Sequence, residues 1–545
     1  MKVESIKEYL RKNQIDAYFA NTQDNFLSEY TLPQNNEVLQ ITGFTGSNGY
    51  VLITQSKDLF FTDGRYLLQA KNEIPSGFEV HNIKDFHQIL QEKNLKTLAL
   101  DFSRISKKFV SSIEKYGLEL KHIESFYAKL CEKNANYYSL PTEIVGENTS
   151  SKIRKVQEYL KASNKDGFFI SNPQNTCFLL NIRGNDEPFT PIHKATMFIT
   201  WNSYMLNPSL EQISGSVLVE EDISHANFCQ INAEKHFSSF ITSLKAVKNS
   251  VEIEGMVNAH KIDGKCLAEF LVWLEENYNG KTEYEISQKL LEFRQKSEYF
   301  KTPSFATICG CNENGAIIHY NATKEKAKTV RENSILLIDS GGQYADFSGK
   351  NKILGTTDVT RTLFLGKTPP EKYKKAFTLV LKGHIAIAMA EFNKDTPSSY
   401  FDALARKYLI ENGLNYDHST GHGVGAFLSV HESGCGFSSK NNEPLKAGMV
   451  ISNEPGYYLE GEFGIRIENL ILVCEKESRM LYFKTLTLVP IQEGSVDFTL
   501  LTQQEKTWLR NYNEACLKNS TNTLQYGVYS WNSFHPVYNS WLCKF

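Results

Sequence analysis

Five side chains of the kinds that bind metal ions restrict this chain more than any other feature. They are Asp339, Asp358, His422, Glu454 and Glu468, each set in apolar or glycine-rich text. The words around them are IIHY (Ile317–Tyr320), LLIDSGGQY (Leu336–Tyr344), GTTDVTRT (Gly355–Thr362), HSTGHGVG (His418–Gly425), VHE (Val430–Glu432), EPGYY (Glu454–Tyr458) and FGIRIEN (Phe463–Asn469). An acid that ends a run such as Ile335-Leu336-Leu337-Ile338 enters low dielectric, which is costly unless a cation compensates it. One such acid can be met by an arginine. Five ligand-type side chains in like settings point to a metal site.

The acids fall on β-patterned runs. Asp339 closes Ser334–Ile338 and Asp358 opens Val359–Leu365. Glu454 follows Met449–Asn453 and precedes Pro455, which biases it to an extended backbone. Across Gly464–Val473 the alternation puts Arg466 and Glu468 on one face and Ile465 and Ile467 on the other. Strands thus carry four of the five candidates. Around them run helical patterns at Ser250–Asn277, Glu285–Lys296 and Glu371–Glu391, and one capped at Ser398–Ser399 that ends at Gly413.

Four carboxylates and an imidazole form a hard, oxygen-rich set. It suits two divalent ions such as Mn²⁺, Co²⁺ or Zn²⁺ better than a thiolate zinc site does. Two ions about 3.5–4 Å apart need bridging carboxylates and can trap a hydroxide that attacks at neutral pH. Glu454 suits the transfer of that water's proton. His319, His418 and His431 stand outside the ligand set and can hydrogen-bond a substrate carbonyl or a tetrahedral intermediate. Arg466, on the same face as Glu468, can orient Asp339. Gly421–Gly425 lacks the preceding strand and the Lys-Ser/Thr ending of a phosphate loop. Ser340 reads as a turn residue and Asp346 as a loop residue.

The chain has 545 residues, too many for one core, and length favours about three domains. With 41% hydrophobic and 22% charged residues and a formal net charge of -3, it carries no electrostatic footprint for nucleic acid or an anionic membrane. No apolar run approaches the roughly 18 residues that span a bilayer, and the amphipathic N-terminus lacks a signal peptide's apolar centre. Ten scattered cysteines form no disulfide framework, and Cys309 and Cys311 have no partner motif, which fits reduced thiols in the cytoplasm. The chain opens with a helix near Ser5–Lys12 and strands at Ala17–Ala20, Gly49–Ile53 and Leu98–Leu100. The same text returns after Ser151: Glu8-Tyr9-Leu10 and Asp16–Phe19 match Glu158-Tyr159-Leu160 and Asp166–Phe169. Ile41-Thr42-Gly43 likewise matches Ile182-Arg183-Gly184. This is an internal repeat of two α/β domains.

The order Asp, Asp, His, Glu, Glu with these flanking words resembles the metallopeptidases of the creatinase and methionine-aminopeptidase type. Within them it is most similar to the three-domain cytosolic Xaa-Pro aminopeptidase (aminopeptidase P) family, over about residues 1–510. GHGVG, VHE, EPGYY and GIRIEN together are specific to it. The resemblance implies two creatinase-like N-terminal α/β domains (1–148 and 149–244), a C-terminal α+β pita-bread catalytic domain (245–510) and an atypical tail (511–545). It also implies that Asp339, Asp358, His422, Glu454 and Glu468 bind two ions, usually manganese. His319, His418 and His431 would face substrate, and Arg466 and Tyr458 would support the ligands. Members release the N-terminal residue from peptides with proline second, and eukaryotic ones commonly dimerise through their catalytic domains.

Two features depart from the pattern. Eighteen residues separate the aspartates where the family has about ten, the excess being Phe347–Leu354. At the tip of a hairpin such an insert costs well under about 1 kcal/mol by loop-closure arithmetic, and the metal pair should survive it. The tail after Tyr512, ending Trp541-Leu542-Cys543-Lys544-Phe545, does not read as the family's terminal helix. Prolidase, confined to dipeptides, is the nearest alternative activity, and the two long N-terminal domains favour the aminopeptidase. A pita-bread module that only binds peptide or protein would not need the complete ligand set.

Overall fold

The computed structural model describes residues 2–131, 136–477 and 479–524. The chain divides into two compact units, one of Met1–Leu140 with Glu147–Thr242, the other of Pro141–Gly146 with Ser243–Phe545.

In the first unit the repeat is visible as topology. Helix α1 (Lys2–Lys12) buries Ile6 and Leu10 and leads into β1 (Ala17–Asn21). Strands β2 (Gly49–Thr54), β3 (Asp58–Thr62), β4 (Phe78–Asn82), β5 (Thr97–Leu100) and β6 (Glu119–His122) complete a sheet of order β4-β3-β2-β1-β5-β6. Helix α2 (Thr149–Ala162) then precedes β7 (Gly167–Ile170), β8 (Met197–Thr200), β9 (Tyr204–Leu206), β10 (Ser216–Val219) and β11 (Glu234–Phe237), in the order β9-β8-β7-β10-β11. In both sheets the first strand pairs antiparallel on one side and parallel on the other. The Ile-x-Gly match does not carry over. Ile41 and Thr42 end a helix whose cap is Gly43 at φ +82, whereas Ile182–Arg183 is a short strand paired with Tyr138–Ser139.

The second unit holds all five candidate ligands. Helix α3 (Ser250–Asn277) is fixed at its start by a capping box between Asn249 and Glu252. It buries Leu267, Phe270, Leu271 and Leu274, each contributing about 1.5–3 kcal/mol. Strand β12 (Phe300–Pro303) is followed by β13 (Ile308–Cys311), which carries the buried, unbridged Cys309 and Cys311. Strands β14 (Ser334–Ser340), β15 (Gly342–Ala345), β16 (Leu354–Thr356) and β17 (Val359–Leu365) form two three-stranded sheets with them, β12-β15-β16 and β13-β14-β17. All seven residues of β14 and all seven of β17 are buried, and so are Asp339 within β14 and Asp358 just before β17.

Helix α4 (Glu371–Ala388) stops short of the expected Glu391, because Glu391–Asn393 pairs as strand β18. Helix α5 (Ser399–Ile410) follows, and Gly413 turns the chain at φ +72. Strands β19 (Gly421–Gly423), β20 (Glu432–Phe437), β21 (Val450–Asn453), β22 (Gly456–Leu459), β23 (Phe463–Arg466), β24 (Asn469–Lys476) and β25 (Met480–Thr485) then build a six-stranded sheet, β18-β25-β24-β21-β19-β20, and the pair β22-β23.

Two further expectations are corrected. The run Gly464–Val473 is not one strand: it breaks at Ile467–Glu468, where the chain leaves β22 to pair with β21 and β25. Backbone bonds fix the bend, with the Ile467 N–H donating to Pro455 O (3.3 Å) and the Glu468 N–H to Thr360 O (3.2 Å). As far as Leu524 the segment after Tyr512 is helical, since α6 runs Gln503–Leu524. Its polar composition hides Leu509, Tyr512 and Cys516, which are buried at helical spacing. Residues 525–545, with Trp541–Phe545, lie outside the described residues.

The insert is the tip of the β15–β16 hairpin, whose base joins the two aspartates. Asp346 organises it by accepting from the backbone N–H groups of Ser348 (2.9 Å) and Asn351 (2.7 Å). The tip lies against α3, where Asn258 donates to Lys352 O and Lys352 pairs with Glu254, both at 2.8 Å. Phe347 meets Phe427 edge-on at 5.9 Å.

Candidate metal centre

Strand register brings the first ligands together. Asp339 lies opposite Thr360, and Ser340 opposite Val359, so Asp339, Asp358 and Thr360 share one face. Glycine at 341 permits the approach, because a Cβ there would stand 1.9 Å from the Thr357 carbonyl, one residue before Asp358. His422 sits at a register shift between β19 and β20, a bulge that re-aims its ring. Gly421 beside it admits no side chain either, since its Cβ would lie 1.9 Å from Ser452 O. Glu454 leaves the end of β21 with its N–H donating to Thr420 O (2.9 Å). Glu468 occupies the bend between β23 and β24.

Here the side chains converge. His422 Nε2 is 3.5 Å from Asp358 Oδ2 and 3.4 Å from Glu454 Oε1. Asp358, His422 and Glu468 offer ligand atoms within 4.8 Å of one another. The His422 Nδ1–H donates to Gly423 O (3.0 Å), which turns Nε2 toward the acids as a lone pair. Asp339 reaches the same cluster through Arg466, whose guanidinium donates to Asp339 Oδ2 (2.6 Å), to Thr360 Oγ1 (3.0 Å) and to the Tyr458 hydroxyl (2.7 Å). Thr360 passes the bond on to Glu468 Oε2 (2.8 Å). Arg466 is 2% exposed, and its removal alone would strand a buried Asp339 charge at a cost of about 3–5 kcal/mol.

The electrostatics call for cations. Burial, then repulsion by Asp339 and Glu454, drives the Asp358 carboxyl well above the usual carboxylate range. Burial, then Asp358, Asp339 and Glu454, does the same to Glu468. Asp339 Oδ1 and Asp358 Oδ1 are buried with no hydrogen-bond partner. Buried carboxylate oxygens without donors, crowded by other carboxylates and faced by an imidazole lone pair, are a donor set that fits divalent ions.

The three further histidines are placed differently. The His431 ring stands 4.4 Å from that of His422 at 85°. His418 accepts from the Tyr458 hydroxyl at Nε2 (2.9 Å) and donates from Nδ1 to Ser419 O (2.8 Å), with Nδ1 3.9 Å from Glu454 Oε2. His319 is half-buried one residue beyond Ile318, whose carbonyl accepts from Arg466 (3.4 Å). Reading by sequence missed Thr360 and Ser452. Ser452 Oγ accepts from the His422 N–H (2.9 Å) and donates to Glu454 Oε1 (3.0 Å). Each lies two residues from a ligand on a strand, a spacing that could have flagged it.

Residues 254–475 match the model of metallopeptidase family M24, and residues 479–531 that of the C-terminal region of peptidase M24. Residues 2–130 and 129–214 match two models of the creatinase/prolidase N-terminal domain. A probable Xaa-Pro aminopeptidase P of Laccaria bicolor is 32% identical over 94% of this chain and 89% of its own length. One from Talaromyces marneffei is 34% identical over 93% and 87%. Among solved structures, the X-prolyl aminopeptidase of Caenorhabditis elegans, a cytosolic enzyme with a di-nuclear active site, superposes with a TM-score of 0.89 at 29% identity, covering 96% of both chains.

Proposed function

The chain belongs to metallopeptidase family M24, among the Xaa-Pro aminopeptidases P with creatinase-type N-terminal domains, and from that premise we propose that it releases the N-terminal residue from peptides with proline second. One observation supports this most: His422 lies against Asp358 and Glu454, Glu468 shares the cluster and Asp339 is joined to it through Arg466, with partnerless buried carboxylate oxygens among them. In this reading Asp339, Asp358, His422, Glu454 and Glu468 hold two divalent cations. When bound, these polarise the scissile carbonyl and supply a nucleophilic water at neutral pH.

The chain's own residues do the rest. Ser452 engages Glu454 Oε1, so Glu454 Oε2 is the atom that takes the water's proton and returns it to the departing proline nitrogen. His418, tied to Tyr458 and close to that oxygen, steadies the carboxylate through the transfer. His431 and His319 donate to the substrate carbonyl as charge develops on it. Arg466 keeps Asp339 oriented directly and Glu468 through Thr360.

Manganese as the working metal, a cytoplasmic location and a homodimer formed through the M24 unit belong to this proposal. The cytosolic description of the Caenorhabditis elegans relative supports the location. No helix among the described residues is long and apolar enough to cross a membrane. Light scattering on the purified chain tests the dimer, and a monomer at working concentration would refute it.

Arg-Pro-Pro and Arg-Pro separate the proposed activity from a prolidase. With Mn²⁺ present, the tripeptide is expected to lose its arginine and the dipeptide to be the poorer substrate, with both rates abolished by a chelator. Cleavage of the dipeptide alone would make the chain a prolidase. Cleavage of neither would overturn the substrate assignment.

A further inference from the structure

Behind the two glutamates lies a closed ring of polar side chains that the reaction itself does not use. Arg361, three residues after Asp358, is 4% exposed, and its hydrogen bonds run to neutral groups. It donates to Glu468 O (2.7 Å), Thr360 O (2.7 Å), Pro490 O (3.0 Å), Asn469 Oδ1 (2.8 Å) and the Tyr512 hydroxyl (2.8 Å). Tyr512 comes from α6 and donates onward to Val489 O (2.7 Å). Asn469, the neighbour of Glu468, donates from Nδ2 to His384 Nε2 (3.1 Å). His384 on α4 donates from Nδ1 to the carbonyl of Asn453, the neighbour of Glu454 (3.1 Å), and its own carbonyl accepts from Asn453 Nδ2 (2.9 Å). Trp508 of α6 closes the ring, stacked on Tyr512 at 5.2 Å and edge-on to His384 at 5.9 Å.

This arrangement has a direction. Asn453 and Asn469 pair across β21 and β24, so Glu454 and Glu468 depart from one point of the sheet. Arg361, His384 and Tyr512 each grip the residue beside one of these glutamates, Arg361 also the backbone of Glu468 itself, and Trp508 packs behind His384 and Tyr512. A buried guanidinium bonded to carbonyls costs several kcal/mol in desolvation and is weak evidence for stability as such. What it provides is a fixed position for the Glu468 main chain at a bend that has left its β22 partner. Burial, reinforced by Arg361, keeps His384 neutral, with its pKa pulled down to about 3, as its donor-and-acceptor pattern requires.

We propose that the terminal helix α6 is a latch on the metal centre, in which Tyr512 and Trp508, through Arg361, Asn469 and His384, are positioning residues that hold Glu454 and Glu468 in cation-binding geometry. The proposal rests on the two-metal reading of the site. It assigns a task to a segment whose sequence gives no sign of one, and it predicts that changes on α6 are felt as metal affinity.

The test is Co²⁺ titration of the full chain, followed by visible absorption, with the unfolding temperature of the metal-free protein measured alongside. Wild type is expected to take up two ions per chain. Tyr512→Phe, which removes only a hydroxyl, and Trp508→Leu are expected to weaken uptake of the less tightly held ion by about 10- to 100-fold and to alter the absorption bands. Their metal-free unfolding temperatures should stay near that of wild type, and Trp508→Phe should recover most of the affinity. Wild-type affinity and spectrum in both variants would overturn the latch. So would a loss of affinity that only follows a fall in metal-free stability. A wild type that takes up no cobalt would refute the metal reading itself, and the latch with it, a result distinct from failure of the variants alone.

Discussion

Glu454→Gln is expected to lower kcat on an Xaa-Pro tripeptide by about 10³-fold while leaving KM within a few-fold of wild type. Glutamine keeps the shape of the side chain and an oxygen that can accept from Ser452 and face the cations. It cannot take a proton. The barrier therefore rises by about 4 kcal/mol in the chemical step, with little change in how the peptide binds. Glu454→Ala removes the oxygen as well and should in addition reduce the metal content below that of the glutamine variant. Steady-state kinetics beside elemental analysis separate the two effects. A glutamine variant within tenfold of wild type in kcat would remove Glu454 from proton transfer.

Stripping the cations should abolish hydrolysis and destabilise the fold in a pH-dependent way. Without cations, Asp358 and Glu468 sit well above the usual carboxylate range in the folded chain, first through burial and then through their acidic neighbours. In the unfolded chain they ionise near pH 4. Between those limits the folded state binds more protons than the unfolded state, so the stability of the stripped protein falls as pH rises from about 4 toward the raised values. The loaded protein keeps these acids ionised against the cations and escapes that loss, gaining about 2.7 kcal/mol per site at a hundredfold excess over Kd. The gap in unfolding temperature between loaded and chelated protein should widen from pH 5.5 to pH 8, and loading should release protons. A gap that narrows with rising pH, or full activity in chelator, would contradict the assignment of these acids as ligands.

The candidate ligands are legible without coordinates because acids at the ends of apolar runs are rare and expensive. Asp339 after Ile335–Ile338 and Glu454 after Met449–Asn453 both advertise a compensating charge. Arg466 was legible as a partner of Asp339 for the same reason. The break at Ile467–Glu468 was passed over, although the alternation stops there: Glu468 and Asn469 are both polar, and Leu470–Val473 are all apolar. Only the exchange of β22 for β21 and β25 as pairing partners bends the chain there. In α6 the asparagines and serines obscure a periodic Leu509, Tyr512 and Cys516, so the helix is plain only once its buried face has something to pack on.

By itself, then, the order of residues marked the candidate cation-binding groups and the apolar runs beside them, and the two α/β repeats that precede them, because strand period and the cost of burying charge are local properties; that Asp358, Glu454 and Glu468 fall between strands rather than within them only the structure decided. The tertiary structure decided which of those groups meet, that Thr360 and Ser452 complete the site, and that the terminal helix reaches back to the strands of Glu454 and Glu468. Those contacts join residues 30 to 151 positions apart, as between His422 and Ser452 or Arg361 and Tyr512, and no local pattern encodes a pairing whose energy appears only when the chain closes on itself.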